Sequence, residues 1–287
     1  MGESLKMLRS RWIPTLIVML AALPAAAGEL VLPVFAHNLE GRNGDLWNSE
    51  IYLTNPGDQP VQVTLARLLP GRITKPTPCD LFMPPTRVVP PHSAVVWTAS
   101  GLATDLGCAE EVRGGLVLRA DGPIHVTSRL VNVAGSDEEQ PTGVLSGRGE
   151  AIEAIPIEQL PAPGTHLLPA LMWHRNPCGE AEFDTFIGFA NPGGAVVEVV
   201  LDVPHVSGRE AVIDGRSVVL PHLLQIPAGS WRQIWLRPAT EEDAPCGSIE
   251  SFLVSVEINA PLALYASVID RRSGDPRTAR PVRLAPD

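Results

Sequence analysis

From residue 28 onward the chain alternates apolar and polar positions over short runs, and turn-forming residues separate the runs. Val61, Val63 and Leu65 alternate with Gln62, Thr64 and Ala66, and Val197, Val199 and Leu201 alternate with Val196, Glu198 and Val200. A period of two is the mark of a β-strand with one face on a core and the other toward water. Read this way, strands are predicted over 30–36, 50–54, 61–68, 82–89, 94–98, 115–120 and 124–132. A second set covers 166–173, 184–190, 196–203, 217–226, 231–236, 252–258 and 262–269. The second set alternates less cleanly, which predicts that part of its outer face is covered by the other half or by the connecting stretch. Asn55-Pro56-Gly57-Asp58 carries Pro and Gly where a type II turn needs them, with Gly57 expected at positive φ.

The two sets repeat one another. Leu32-Pro33 returns as Leu168-Pro169 and Asn55-Pro56-Gly57 as Asn191-Pro192-Gly193, both 136 residues on. Pro90 and Ser93 return as Pro227 and Ser230 at 137, and Gly122-Pro123 is answered by Ala260-Pro261 at 138. A register that drifts by two residues over about a hundred implies one duplicated module. Seven short strands per module, spaced by turns, describe an immunoglobulin-like sandwich. The expected fold is therefore all-β, with two tandem immunoglobulin-like β-sandwich domains over 28–145 and 166–287. Residues 146–165, with Pro156, Pro161, Pro163 and Gly164, would be a Pro-rich linker or a closing strand of the first module.

The first 27 residues fall outside this pattern. Lys6, Arg9 and Arg11 precede an apolar run over 12–23, and Pro24-Ala25-Ala26-Ala27 offers a small-residue cleavage site before Gly28. That is the order of a Sec-type signal peptide cut between Ala27 and Gly28. The run is shorter than the ~20 residues a spanning helix needs. No Cys follows it, so no lipid anchor is expected. The predicted product is secreted or periplasmic and has no membrane span after cleavage.

Export changes how the four cysteines read. Cys79 and Cys108 fall in the first module, Cys178 and Cys246 in the second, which suggests one disulfide in each. Three pairings remain formally possible. Loss of the leader removes three basic residues and one acid and takes the net charge from −10 to −12. A charge of that sign disfavours nucleic acid and anionic membranes as partners. Twenty-nine prolines and 25 glycines suit short strands and sharp turns.

Candidate chemistry is sparse. His37, His92, His125, His166, His174, His205 and His222 form no metal-binding spacing, and no Gly-x-Ser-x-Gly nucleophile motif occurs. No catalytic residue, metal or cofactor is expected. Asp137-Glu138-Glu139, Glu241-Glu242-Asp243 and the looser set Asn43, Asp45, Asn48 and Glu50 are acidic loop candidates that lack calcium-loop spacing. Arg129, a charge in an apolar strand, is expected either to bridge to a carboxylate such as Glu50 or to point outward. Trp231, Gln233 and Trp235 share one strand face. Exposed, they would make a stacking platform for sugar rings; covered, they would belong to the core or to the contact between modules.

Residues 32–37 (Leu-Pro-Val-Phe-Ala-His), 47–56, 90–93 and 126–132 together resemble a repeated immunoglobulin-like β-sandwich module of secreted bacterial proteins. The second copy departs from the pattern: Phe183 stands where Trp47 does, and Ala266-Ser267-Val268 replaces Ser128-Arg129-Leu130. The resemblance implies architecture and secretion and brings no catalytic set. The function expected is that of an exported non-enzymatic interaction or structural protein, whose partner is a protein or glycan of the cell envelope or extracellular space. Alternatives are a carbohydrate-binding protein using the aromatic face of the second module, a periplasmic assembly chaperone, and a hydrolase with a dispersed site.

Overall fold

A computed structural model describes residues 28–40, 46–70, 85–105, 107, 111–132, 148–175, 183–204, 210–238, 248–270 and 276–284. The N-terminal half contains β1 (Gly28–His37), β2 (Leu39–Glu40), β3 (Leu46–Asn55), β4 (Val61–Pro70), β5 (Thr86–Val89) and β6 (Ser93–Trp97). It continues with α1 (Ala99–Asp105), β7 (Val112–Ala120), β8 (His125–Asn132), β9 (Arg148–Glu153) and β10 (Ile155–Pro156). The C-terminal half contains β11 (Gly164–Arg175), β12 (Phe183–Asn191), β13 (Val197–Asp202), β14 (Glu210–Ile213), β15 (Arg216–Val219) and β16 (His222–Ile226). It ends with β17 (Ser230–Pro238), β18 (Ser248–Ile258), β19 (Ala263–Asp270), β20 (Pro276–Ala279) and β21 (Val282–Arg283).

The fold is all-β, and each half stacks two antiparallel sheets on an apolar core. In the N-terminal half the order β10-β1-β7-β4-β5 faces a sheet of β2, β3, β8 and β9, with β6 paired to β3. In the C-terminal half β21-β11-β18-β13-β16 faces β20-β19-β12-β17-β14-β15. Apart from the β14–β15 hairpin and β2, the two halves share one strand order. The alternating residues fill the cores. Leu32, Phe35, Ile51, Leu53, Val63, Leu65, Trp97 and Leu116 are buried in the first, and Leu168, Leu171, Ile187, Phe189, Val199, Leu201, Ile234 and Val254 in the second. Each such aliphatic side chain stabilises the fold by about 1.5–3 kcal/mol relative to exposure.

Both halves carry the same irregularity. Between Leu32↔Leu116 and Phe35↔Gly114, β1 fits two residues against one on β7, and β11 does the same against β18 between Leu168 and Leu171. A bulge of this kind takes residues out of the ladder and re-aims their backbone groups.

Two local expectations are corrected. The Asn55-Pro56-Gly57 and Asn191-Pro192-Gly193 turns are not type II, because neither Gly57 nor Gly193 has a positive φ. Instead the asparagine side chain makes the turn: Gly57 N donates to Asn55 Oδ1 at 2.9 Å, and Gly193 N to Asn191 Oδ1 at 2.9 Å. The stretch 217–226 is two strands rather than one. β15 and β16 lie in different sheets, and the chain crosses between them at Leu220-Pro221, where proline has no N–H for a ladder. Within 146–165, β9 pairs with β8, β10 pairs with β1, and a 3-10 turn spans Ile157–Gln159.

A third apolar cluster joins the halves. Val31, Val34, Leu69 and Val117, on the outer face of the first sheet, pack with Ile152 and Leu160 against Ala190, Trp231, Ala263 and Tyr265 of the C-terminal half. The backbones approach closely: a Cβ on Gly115 would stand 3.2 Å from that of Ala190. Arg67 Nη2 adds a hydrogen bond to Pro192 O at 2.6 Å.

Candidate site: a cleft where the two halves meet

Strand β17 runs along this contact. Trp231, Gln233 and Trp235 lie on its outer face, and their cross-strand partners on β12 are Ala190, Gly188 and Phe186. Beyond β12, β19 adds Ala263, Tyr265 and Ser267 to the same face. The N-terminal half covers one end of this surface and leaves the other open, so the three predicted residues have three fates.

Trp231 is 3% exposed, and its Nε1 donates to Pro33 O at 2.7 Å. The β1 bulge makes that carbonyl available by removing Pro33 from the β1–β7 ladder. Trp231 is thus an anchor between the halves, and a platform of two exposed indoles is not formed. Gln233 is half-buried, and its Nε2 donates to the Tyr265 hydroxyl at 3.3 Å. Trp235 is half-exposed at the open end.

There a cleft of about 360 Å³ is walled by both halves. Leu39, Glu40, Trp47, Arg113 and Leu130 come from the N-terminal half; Asp184, Phe186, Asp214, Gly215, Gln233, Trp235 and Ile269 come from the C-terminal half. Trp235 is held at two points. Its Nε1 donates to Asp184 Oδ1 at 2.9 Å, and its backbone N donates to Asp214 Oδ1 at 2.9 Å. The Arg237 guanidinium lies over the ring, 5.7 Å from the centroid. Asp214 and Gly215 form the two-residue loop between β14 and β15, with φ of 51° and 81°. Two consecutive positive φ values are the condition of a type I′ turn, for which Asp-Gly is a preferred sequence. The hairpin escaped the alternation reading because β14 has only four residues. The Asp-Gly between Ala211-Val212-Ile213 and Val218-Val219 was its available signal.

Deeper in the contact, Glu150 of β9 is buried and accepts hydrogen bonds from Ser267 Oγ at 2.9 Å and from Thr278 Oγ1. Burial raises its carboxyl above the usual range, and the two hydroxyls oppose that shift. The nearby Tyr265 phenol is pushed well above its ordinary value, first by burial and then by the charge of Glu150. At the edge of the contact, Arg280 Nη2 meets Glu153 Oε2 at 2.9 Å.

The remaining candidates lie elsewhere. Cys79, Cys108, Cys178 and Cys246 fall outside the described residues, as do Ala27, Asn43, Asp45, residues 137–139 and residues 241–243; Gly28 opens β1. Arg129 faces Glu50 across β3 and β8, with Nη1 3.9 Å from Oε2, and Glu50 also accepts from Tyr52 Oη at 3.0 Å. Asn48 Oδ1 accepts from Asn38 N. His166 Nε2 lies 2.8 Å from Ala162 O, and His92 Nε2 lies 2.8 Å from Asp58. Among the described residues no three His, Cys, Asp or Glu side chains converge as metal ligands, and no helix is long and apolar enough to cross a membrane.

No family model matches this chain, and no curated protein matches it with significance. Among solved structures, the C-terminal domain of the Streptococcus pyogenes antigen I/II-family protein AspA aligns over 90% of this chain and 98% of that chain. The identity is 6% and the TM-score 0.22, a likeness too low to carry a conclusion about fold or function.

Proposed function

We propose that this chain is an exported, non-enzymatic interaction protein. Its two immunoglobulin-like β-sandwiches descend from one duplicated module, are each stapled by a disulfide, and present the cleft between them to a protein or glycan of the envelope or extracellular space. One observation carries the reading: the N-terminal half covers the Trp231 end of an aromatic sheet face and leaves the Trp235 end open, in a cleft walled by both halves. A concave, mostly apolar cleft between domains, with a few polar groups, is where ligands bind by default.

The test is capture of envelope and secreted components on the immobilised chain, in parallel with two variants. Trp235→Ala opens one wall of the cleft, whereas Ser217→Ala changes an exposed position on β15 outside it. A component retained by the parent chain and by Ser217→Ala, but lost with Trp235→Ala, is the expected result. Retention by all three forms would place the interaction elsewhere and overturn the proposal.

A further inference from the structure

We infer that the cleft is a subsite for a pyranose oligosaccharide that stacks on Trp235. This rests on the binding reading above and names its ligand class. An anion is disfavoured by the carboxylates of Glu40, Asp184 and Asp214 in the same wall. A cation is disfavoured by the positive charges of Arg113 in the cleft and of Arg237, whose guanidinium packs on one side of the indole. A purely apolar ligand would take water from the exposed Glu40, Asp214 and Arg113 without offering them hydrogen bonds.

A sugar ring answers all three conditions. It is uncharged, it has an apolar face for an indole, and its hydroxyls both donate and accept. Glu40 and Asp214 supply acceptors at the exposed rim, and Arg113 and Gln233 supply donors. The platform is also pre-organised: Trp235 is fixed through Asp184 and Asp214 before any ligand arrives, so little ordering entropy is lost on binding. The volume, about 360 Å³, sits at the small end of ligand clefts, roughly 300–1,000 Å³.

Cellohexaose, maltohexaose, xylohexaose and chitohexaose, titrated into the full chain at up to millimolar concentration, test this by calorimetry and tryptophan fluorescence. At least one is expected to bind and to shift the emission. Trp235→Ala should weaken that binding by about tenfold or more, and the exposed Glu40→Gln by a smaller factor. Should Trp235→Ala fail to fold, Glu40→Gln and Asp214→Asn decide, since asparagine tolerates positive φ and keeps the bond to Trp235 N. Silence from all four sugars, or binding that no cleft variant weakens, overturns the inference. Hexalysine is the comparison ligand: if it binds and Glu40→Gln releases it, the cleft takes a cation. The sugar inference then fails while the binding-cleft reading stands.

Discussion

Gly188 faces Tyr265 across β12 and β19, and a Cβ there would stand 1.9 Å from the phenol ring. The ring lies over the glycine in a fully buried contact, so Gly188→Ala has no room to relax outward. We expect it to cost about 1–3 kcal/mol by overpacking, read as a lowered Tm. Glu150 makes a pH-dependent contribution. Its folded-state pKa is raised above the unfolded value, so between the two the native chain holds a proton that the unfolded chain has lost. Its contribution to stability is therefore full below the unfolded pKa and is lost as pH rises through the folded one. Glu150→Gln should remove this slope and stabilise the protein at neutral pH, because an amide keeps partners for Ser267 and Thr278 without a buried charge. Denaturant titrations of both forms across mildly acid to neutral pH check it; an unchanged slope would refute the assignment.

At the scale of elements, the asparagine turns hold each sandwich together. Asn55 Nδ2 donates to Gln59 O, Val89 O and Pro90 O, and Asn191 Nδ2 donates to Ala195 O, Ile226 O and Pro227 O. Each side chain thus ties the end of one strand to the approach of the next. Ser93 and Ser230 repeat a bond to Pro90 O and Pro227 O, both at 2.7 Å. Asn55→Ala and Asn191→Ala should each destabilise by about 1–3 kcal/mol, since one buried carbonyl (Val89 O or Ile226 O) and two part-buried ones lose their donor at once. The double variant should be close to additive in chemical denaturation, because the two sites share no partner. These turns were legible as Asn-Pro-Gly repeats, but their mechanism was not. Pro and Gly predict a backbone turn, whereas the asparagine's reach to strands 34 to 36 residues away is known only once those strands are adjacent.

At the scale of the molecule, the two halves share a strand order but differ on one sheet face. Where the C-terminal half places Trp231, Ala190, Gly188 and Tyr265, the N-terminal half places Ala94, Thr54, Tyr52 and Thr127, all exposed or half-exposed. Water covers the second set and the N-terminal half covers the first, so the covered outer face lies on β12, β17 and β19, whereas at β13, whose alternation is weak, the preceding Val196 is exposed and Val200 half-buried. Trp231 is the largest side chain in that contact. Trp231→Ala should cost about 3–5 kcal/mol through lost burial and an unpaired Pro33 carbonyl, and should loosen the halves from one another. Differential calorimetry is expected to show one transition for the parent chain and two for the variant. A single transition in both would mean that the halves stay coupled without Trp231.

By itself, the sequence determined the all-β class, the period-two cores and the places where the chain turns, because these follow from local chemistry and from which face of a strand is apolar. It also held both possible fates of the Trp231–Trp235 stripe without choosing between them. That choice belongs to tertiary structure. An indole is apolar and carries one donor whether it meets a sugar, a core or another sheet, and only the placement of Pro33 and the β1 bulge decides that Trp231 is sealed. The same docking leaves Trp235 beside Trp47 and Arg113. These residues are far apart in the chain, and no periodicity or spacing could have brought them together.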